Sequence, residues 1–340
     1  MKEKTNWNPK IISWKELRPK AEHGQKWLIQ DLVPLNCITM ISGKAGISKT
    51  FLIYEFVRAV LSRKYAFGHK RFVAQPTGVM VLDGENGESE VARRLKKLGI
   101  HKRANLYFLT HAEEFDLTSP ENVKILIKSM RSRKCGLLVI DPLVVFQRGD
   151  ENTSKDMSKI RKGLKMLKEN EITTIIAHHH RKEYMGSFDP LQALRGSSDI
   201  GAAIDVLWGV YNAKGDNENK RLIRNGKMRI GPKPRSFYIE FIEKDENNSH
   251  SPLWFRFLDE AEEEKLTKEQ QDEETRDQLR SVIGPIWTTR EDILINTASD
   301  RRVGMKRMWD LLDGMCTGQD AEIKFRVNKA QKSRIEYRSA

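Results

Sequence analysis

Residues 43–50 read GKAGISKT, a short segment in which glycines precede a serine, a lysine and a threonine. The phosphate-loop pattern is G-x-x-x-x-G-K-[ST]; Gly43, Lys49 and Thr50 match it, whereas Ser48 stands where a glycine is expected. In such a loop the backbone N–H groups and the positive end of the next helix surround the phosphates of a nucleotide. Lys49 would contact the β- and γ-phosphates, and Thr50 would bind Mg²⁺. The predicted phosphate-binding residues are Gly43, Lys44, Ala45, Gly46, Ile47, Ser48, Lys49 and Thr50.

The segments on either side of this loop favour phosphate binding. CITMIS, residues 37–42, is an apolar and β-branched run that predicts a strand, and KTFLIYEFVRAVL, residues 49–61, has the apolar spacing of a helix. Ser48 is a residue type that commonly begins helices, and a positive φ at this position would cost about 1 kcal/mol. The alternative is a strand-to-helix turn that binds no ligand.

Composition places limits on the kind of protein. A chain of 340 residues exceeds the usual size of one hydrophobic core, so we expect one large domain and a smaller one. The net charge of +13 indicates a polyanionic partner, or else a general solubility effect. Three widely separated cysteines, the lack of a long apolar segment and the polar start MKEKTNWNPK predict a reduced, cytoplasmic protein that does not contact a membrane.

Apolar strand-like runs alternate with helical patterns up to about residue 180. The runs are GVMVLDGE, LYFLT, CGLLVID and ITTIIAHHH. This alternation predicts an α/β fold with a mainly parallel sheet that helices cover on both faces. After residue 204 the pattern changes to that of an antiparallel meander, and the charged run at residues 259–278 predicts an exposed linker helix.

A second nucleotide-binding element is the apolar run LLVIDPL, which ends in Asp141. In open α/β sheets ligands collect at the carboxyl ends of the parallel strands, so Asp141 would lie beside the phosphate loop. We therefore predict that Asp141 is part of the nucleotide-binding site and, with Thr50, holds Mg²⁺. The alternative is an ordinary buried strand followed by a turn aspartate, since Pro142 comes next.

The ordered set of motifs resembles the RecA-type hexameric ATPases, and among them the RepA-like plasmid and phage replicative helicases, with a wider similarity to the DnaB core. The similar segments are WLIQDLVPLNCITMISGKAG, VMVLDGENGESEVARRL, LLVIDPLVVFQRGDENTSKDM, TTIIAHHHRK, LRGSSDIGAAID and NGKMRIGPKP. They cover roughly residues 27–257, and Ser48 is the main departure from the family pattern. The resemblance implies a RecA-like P-loop core, ATP and Mg²⁺ as cofactors, single-stranded DNA as a partner and assembly as a homo-hexamer.

Glu85 is the candidate for activating the attacking water. A glutamate at the end of the strand next to the phosphate loop is well placed for this task, and Asp83 and Glu88 are the nearby alternatives. A solvated charge, or a carboxylate at a helix N-terminus, would explain Glu85 equally well.

Three consecutive histidines end the last strand of the parallel region. His178 and His180 would share one side of that strand, but no acidic residue or cysteine stands at a supporting short spacing for a metal. The resemblance suggests that His179 lies near the γ-phosphate and relays the nucleotide state to the next loop. A purely structural role is the alternative.

Two groups of cations are candidates for contacts with DNA or with a neighbouring subunit. Arg181, Lys182 and Arg195 lie in the loop after the histidines, which in RecA-like rings faces single-stranded DNA. Lys227 and Arg229 would project from one face of a strand, and they match the K-x-R element that reaches the γ-phosphate of the neighbouring subunit in these helicases. The alternatives are a flexible surface loop and a basic strand face.

The C-terminal part predicts two helices followed by a hairpin, an order that resembles a winged helix. Its candidate contacts to duplex DNA are Arg301, Arg302, Lys306 and Arg307, and a protein-docking role is the alternative. The predicted organisation is an N-terminal extension over residues 1–26 that could link subunits, a RecA-like ATPase domain over 27–258, a charged linker helix over 259–280 and a winged-helix-like domain over 281–340.

We therefore expect an ATP-dependent, ring-forming DNA helicase or translocase that replicates a plasmid, phage or mobile element. The first alternative is a recombination or regulatory ATPase of the RadA or KaiC kind, which hydrolyses ATP without unwinding. The second is a DNA-anchoring protein whose ATPase is silent, for which Ser48 is the supporting feature.

Overall fold

The computed structural model describes most of the chain. The described residues are 11–22, 24–109, 114–147, 154–180, 189–194, 199–213, 219–245, 251–260, 268–283, 285, 287–297, 305–317, 321, 323–328 and 334–339. They divide into two compact units, and the division along the chain falls after Glu260.

Helices and strands alternate through the first unit. In chain order they are α1 (Trp14–Glu22), β1 (Trp27–Ile29), β2 (Val33–Pro34), β3 (Ile38–Gly43), α2 (Lys49–Ser62), β4 (Gly78–Asp83), α3 (Glu88–Lys97), β5 (Leu106–Phe108), α4 (Pro120–Ser132), β6 (Cys135–Asp141), α5 (Ser154–Glu169), β7 (Thr173–His179), α6 (Asp199–Ala203), β8 (Val206–Asn212), β9 (Lys220–Met228), β10 (Phe237–Glu243) and β11 (Leu253–Glu260). β1 and β2 form a small antiparallel pair.

The centre of the first unit is a sheet of nine described strands in the order β11-β10-β9-β8-β3-β7-β6-β4-β5. The strands from β8 to β5 in this order pair in parallel, and β9, β10 and β11 extend the sheet as an antiparallel meander. The predicted α/β fold with a mainly parallel sheet is confirmed. Because these strands are parallel, the carboxyl ends of β3, β4, β6 and β7 lie at the same end of the sheet.

Each face of this sheet carries its own hydrophobic core. On β3, Ile41 packs into the core that contains helix α2, and Met40 packs into the opposite core with α4 and α5. This alternation follows from the two-residue period of a strand, and the short apolar runs of the sequence reflect burial on both faces. Burying each such side chain contributes about 1.5–3 kcal/mol, so the strand ends are fixed by a firm scaffold.

The second unit combines three described helices with a small antiparallel sheet. Its elements are α7 (Lys268–Val282), β12 (Thr288–Thr289), α8 (Arg290–Thr297), α9 (Met305–Met315), β13 (Ile323–Asn328) and β14 (Arg334–Ser339). The sheet order is β12-β14-β13, and the core of the unit contains side chains from α7, α8, α9 and both long strands.

Helix α7 differs from the exposed linker helix that the charged run predicts. Thr275 and Leu279 are buried, and Leu279 belongs to the hydrophobic core of the second unit. Because most residues of this helix are charged or polar, its buried side is not apparent from the sequence. On α9 the buried positions are Met308, Leu311, Leu312 and Met315, whereas Met305 is exposed.

Across the described ranges, every helix falls short of the length and apolar character that a bilayer crossing requires.

Candidate nucleotide-binding site

The phosphate loop connects the end of β3 to the start of α2. Gly46 has φ 76°, and Ser48 has φ 74° and ψ 27°, so both residues occupy the left-handed region. The side chain of Ser48 makes no hydrogen bond that caps the helix. The serine therefore adopts the backbone shape of the expected glycine, at a cost of about 1–2 kcal/mol, and its hydroxyl does not contribute to the helix start.

Gly43 allows the loop to fold back closely over the end of β3. A Cβ atom at this position would lie 2.7 Å from the side chain of Ile47 and 3.0 Å from the carbonyl oxygen of Val210. Because Val210 belongs to the neighbouring strand β8, a larger residue would displace either the loop or the sheet. The first glycine of the motif is thus required by packing.

Lys49 places its ammonium group at the centre of the loop. Its Nζ donates hydrogen bonds to the carbonyl oxygens of Gly43 at 3.1 Å and of Lys44 at 2.9 Å, and it lies 3.4 Å from His179 Nδ1. Burial lowers the pKa of Lys49, while the charges of Asp141 and Glu85 oppose this shift. The two carboxylates thus offset part of the cost of burying the charged ammonium group.

Asp141 ends β6 in register with Asp83 on β4. Burial raises the pKa of Asp141 to about 6; a hydrogen bond from Thr50 opposes the shift, and the neighbouring Asp83 and Glu85 increase it. Its Oδ2 is buried and accepts no hydrogen bond from any described residue. A buried carboxylate oxygen of this kind fits a hard cation such as Mg²⁺, which prefers oxygen ligands, and Thr50 adds a hydroxyl beside it.

Asp83 anchors the turn that carries Glu85. Its Oδ1 accepts hydrogen bonds from the backbone N–H groups of Glu85 at 3.1 Å and Asn86 at 2.9 Å, and its Oδ2 accepts one from the Tyr54 hydroxyl at 2.9 Å. These contacts occupy both oxygens of Asp83, which the sequence left as an alternative to Glu85. The other alternative, Glu88, lies in the first turn of α3.

Glu85 and His179 face the same cleft as the phosphate loop. The cleft has a volume of about 340 Å³, and its lining includes Lys49, Thr50, Glu85, Asp141 and His179. Glu85 Oε1 lies 3.5 Å from His179 Nε2, and the Glu85 side chain is 49% exposed. The imidazole of His179 thus stands between Lys49 and Glu85, where it can respond to both.

The other two histidines are not among the lining residues of this cleft. His180 Nε2 lies 3.0 Å from the Ser42 hydroxyl, and burial lowers the pKa of His180 to about 4, so its ring is neutral near pH 7. His178 is buried as well. Within the described ranges, no three His, Cys, Asp or Glu side chains are grouped so that they could hold a metal ion.

The cleft also contains three residues that the sequence did not single out, of which one is Asn86. Arg94, from α3, and Phe51, from α2, line it, and the Arg94 guanidinium lies 5.3 Å from the Phe51 ring centroid. Glu90 accepts a hydrogen bond from Arg94 at 2.6 Å, and hydrogen bonds from Arg93 and Arg94 lower the pKa of Glu90 to about 2. In the sequence Arg94 belongs to the segment VMVLDGENGESEVARRL, which resembles the helicase family, but no pattern assigned it to the site.

Lys227 and Arg229 lie near the amino ends of the parallel strands, opposite the carboxyl ends that form the cleft. Lys227 donates to the Gly201 carbonyl, and Arg229 donates to the Ala202 carbonyl at 3.2 Å, so both reach toward the C-terminal end of α6. Arg229 also lies 3.5 Å from Asp205, which accepts a hydrogen bond from the backbone N–H of Ile38. Ile38 begins β3 and Gly43 ends it, so the two ends of this strand are separated by about 17 Å.

The predicted DNA contacts are only partly within the described structure. Arg181, Lys182, Arg195, Arg301 and Arg302 lie outside the described residues. Lys306 and Arg307 are exposed on α9. Arg307 donates to both carboxylate oxygens of Asp272 on α7, which gives it a structural role that the sequence prediction did not include.

Comparison with protein families agrees with this geometry. A family model described as an AAA domain matches residues 13–185, a little over half of the chain. Comparison with curated proteins gives no match. The matched range contains the phosphate loop, Glu85, Asp141 and His179, so nucleotide binding and the Mg²⁺ that typically accompanies it in this family agree with the cleft. The chain therefore belongs to the AAA domain family and is a P-loop ATPase of the RecA-like type.

Proposed function

We propose that the chain is an ATP-dependent, ring-forming DNA helicase or translocase that replicates a plasmid, phage or other mobile element. The observation that carries the proposal is the separation of the candidate catalytic groups. Lys49, Glu85 and Asp141 line one cleft, whereas Lys227 and Arg229 lie near the amino ends of the parallel strands. A site divided in this way suits a ring, in which the cleft of one subunit faces Lys227 and Arg229 of the next subunit.

Within one subunit the cleft residues divide the work on ATP. Lys49 and the loop N–H groups would bind the phosphates, and Thr50 and Asp141 would hold Mg²⁺, which neutralises phosphate charge when bound. Glu85 is half exposed at the open side of the cleft, where it can accept a proton from the attacking water. His179 lies between Lys49 and Glu85 and would connect the phosphate end of the cleft to the base.

Arg229 would act on the nucleotide of the neighbouring subunit. Its side chain is 51% exposed, and its contact with Asp205 is long at 3.5 Å, so little free energy opposes its release. Lys168 already donates two hydrogen bonds of 2.8 Å to Asp205, which leaves that carboxylate paired when Arg229 departs. An arginine that reaches a transferring phosphoryl group typically accelerates hydrolysis by about 10³–10⁵-fold.

DNA is the proposed polyanionic partner. The net charge of +13 and the resemblance to RepA-like helicases support it, with Arg181, Lys182 and Arg195 as the proposed contacts to single-stranded DNA. The element order of the second unit, helix, short strand, two helices and a hairpin, supports a winged-helix-like domain that contacts duplex DNA. The proposed assembly is a homo-hexamer.

The proposal is tested by strand displacement and by subunit mixing. The protein should separate a forked duplex only with ATP and Mg²⁺, and Lys49→Ala serves as the inactive control. Arg229→Ala should bind ATP and lose roughly a thousandfold in hydrolysis. When it is mixed with Lys49→Ala under subunit exchange, some sites regain an intact loop and an intact arginine, so activity should partly return. A mixture as inactive as its parents would contradict a shared site.

A silent ATPase is the second candidate, because Ser48 holds a left-handed backbone that favours glycine. A DNA-anchoring protein of this type would bind DNA and ATP but show no ATPase stimulation by single-stranded DNA. A RadA- or KaiC-like ATPase would hydrolyse ATP and fail in strand displacement. Strand displacement and the stimulation of ATPase activity by single-stranded DNA therefore distinguish all three functions.

A further inference from the structure

The outer face of the three-stranded sheet in the second unit is strongly cationic. Along β13, Ile323 is buried in the core of the unit, and Lys324 and Arg326 are exposed. Along β14, Tyr337 is buried in the same core, and Glu336 and Arg338 flank it. Since neighbouring residues of a strand point to opposite faces, Lys324, Arg326, Glu336 and Arg338 share the face turned away from the core. We call this surface the outer sheet face.

Like charges are adjacent on this face. Lys324 pairs directly with Arg338 across the two strands, and Arg326 pairs with Glu336. Arg326 donates to Glu336 at 2.8 Å, which neutralises one of the three cations. A directly opposed pair of cations destabilises a sheet, so folding alone does not explain Lys324 beside Arg338.

A tryptophan holds the two arginines in place. The guanidinium groups of Arg326 and Arg338 lie 4.3 Å and 4.7 Å from the ring centroid of Trp287, which directly precedes β12. Stacking on an indole fixes a guanidinium while its N–H groups remain available for a further partner. Arg338 Nε is buried and has no hydrogen-bond partner among the described residues. That buried Nε is out of reach of a ligand, so the outer sheet face presents the exposed Lys324 ammonium, the remaining N–H groups of the two guanidinium groups and uncompensated positive charge.

We propose that the outer sheet face binds the phosphate backbone of duplex DNA. Fixed guanidinium groups match phosphate oxygens in charge and in donor geometry. The indole ring of Trp287 is already covered by protein cations, whereas proteins that bind single strands use open aromatic rings to stack bases. The contacts would therefore read the charge of the backbone and not the base sequence.

Helix α9 is less suited to this role, although the sequence placed its candidate DNA contacts there. Arg307 is held by Asp272, and Lys306 shares the exposed surface of the helix with Asp310 and Asp313. Mixed charges of this kind attract a polyanion weakly. The inference rests on the proposed function only in taking DNA as the partner, and it does not depend on ATP hydrolysis.

The test compares matched charge-removing variants in the full-length protein. Fluorescence anisotropy with a labelled duplex of random sequence gives the affinity between 0.05 and 0.3 M salt. Each lost phosphate contact should reduce the slope of log affinity against log salt by about 0.9, which at 0.1 M salt is roughly eightfold in affinity. The double variant Lys324→Gln and Arg338→Gln removes the directly opposed cations and leaves the Arg326–Glu336 pair intact, so it should bind about 60-fold more weakly. The α9 control Lys306→Gln should bind like the wild type.

Further measurements keep the outcome unambiguous. The charge-conserving variant Lys324→Arg should keep the wild-type affinity and salt slope, and an unchanged circular dichroism spectrum of the Gln variant shows that its lower affinity does not come from unfolding. Basal ATPase activity should be equal in all variants. If the wild type binds duplex and the Gln variant binds equally well, the outer sheet face is not the site, and the proposed helicase function stands. If single-stranded DNA is affected more than duplex, the assignment to duplex DNA is overturned. If the wild type binds no DNA, both proposals fail.

Discussion

Replacing Asp141 by asparagine should stabilise the first unit while it abolishes ATP hydrolysis. Burial is the main reason why the pKa of Asp141 rises from 3.8 to about 6, and Asp83 and Glu85 contribute to the shift. A carboxyl group with a raised pKa prefers the protonated form in the folded state. Its ionisation therefore costs nothing below about pH 3.8, and the cost grows with pH and is complete above about pH 6.

The size of the effect follows from the shift. Two pKa units correspond to about 3 kcal/mol in the free energy of unfolding at pH 7. Asparagine carries no charge to bury and can still accept the hydrogen bond from Thr50, so the variant should recover a large part of this free energy. Mg²⁺ would lose a ligand, and hydrolysis should fall by at least about a hundredfold.

Hydrogen exchange of the backbone amides in α2 and β6 measures the local free energy of opening without ATP or Mg²⁺. We expect the variant to be more stable than the wild type by about 1–3 kcal/mol at pH 7.5, with a difference that shrinks toward zero near pH 4. Nucleotide with Mg²⁺ should stabilise the wild type much more than the variant. A variant that is less stable at pH 7.5, or a difference that does not change with pH, would refute the reasoning.

Three further substitutions address the phosphate loop and the base. Lys49→Ala should abolish ATP binding in calorimetry, because the ammonium group would contact the phosphates. It should leave the circular dichroism spectrum unchanged, because the lysine donates to carbonyl oxygens of its own loop; unchanged nucleotide affinity would exclude the site. Glu85→Gln should bind ATP and hydrolyse it at least about a hundredfold more slowly, and wild-type turnover would rule out this base. Ser48→Gly should relieve the left-handed strain and raise stability by up to about 1 kcal/mol in urea unfolding, since the entropy of glycine offsets part of the gain; a loss of stability would show that the serine side chain contributes to the loop.

The candidate nucleotide site was predictable because its residues are tied to strand ends. A buried apolar run ends at each of Gly43, Asp141 and His179. Parallel strands have their carboxyl ends at the same end of the sheet. A local pattern and one rule of topology are then enough to place them near one another.

Other features depend on contacts between residues that are distant in the sequence. The role of Asp83 depends on Tyr54, which reaches it from a separate helix, and Arg94 enters the cleft from α3, where it lies over the Phe51 ring of α2. The antiparallel direction of β9 was predicted by the meander pattern, but the contacts of Arg229 with Ala202 and Asp205 were not, because they depend on how separate segments pack.

The hydrogen bonds of Lys49 have a consequence for nucleotide exchange. The loop carbonyls of Gly43 and Lys44 bind the lysine of the same loop, so the loop keeps its shape through the intervals between successive nucleotides. An arriving nucleotide then meets a preorganised receptor and loses little free energy to loop ordering. Association should be limited by diffusion and not by folding of the loop, and a subunit that has released its product is ready at once for the next ATP.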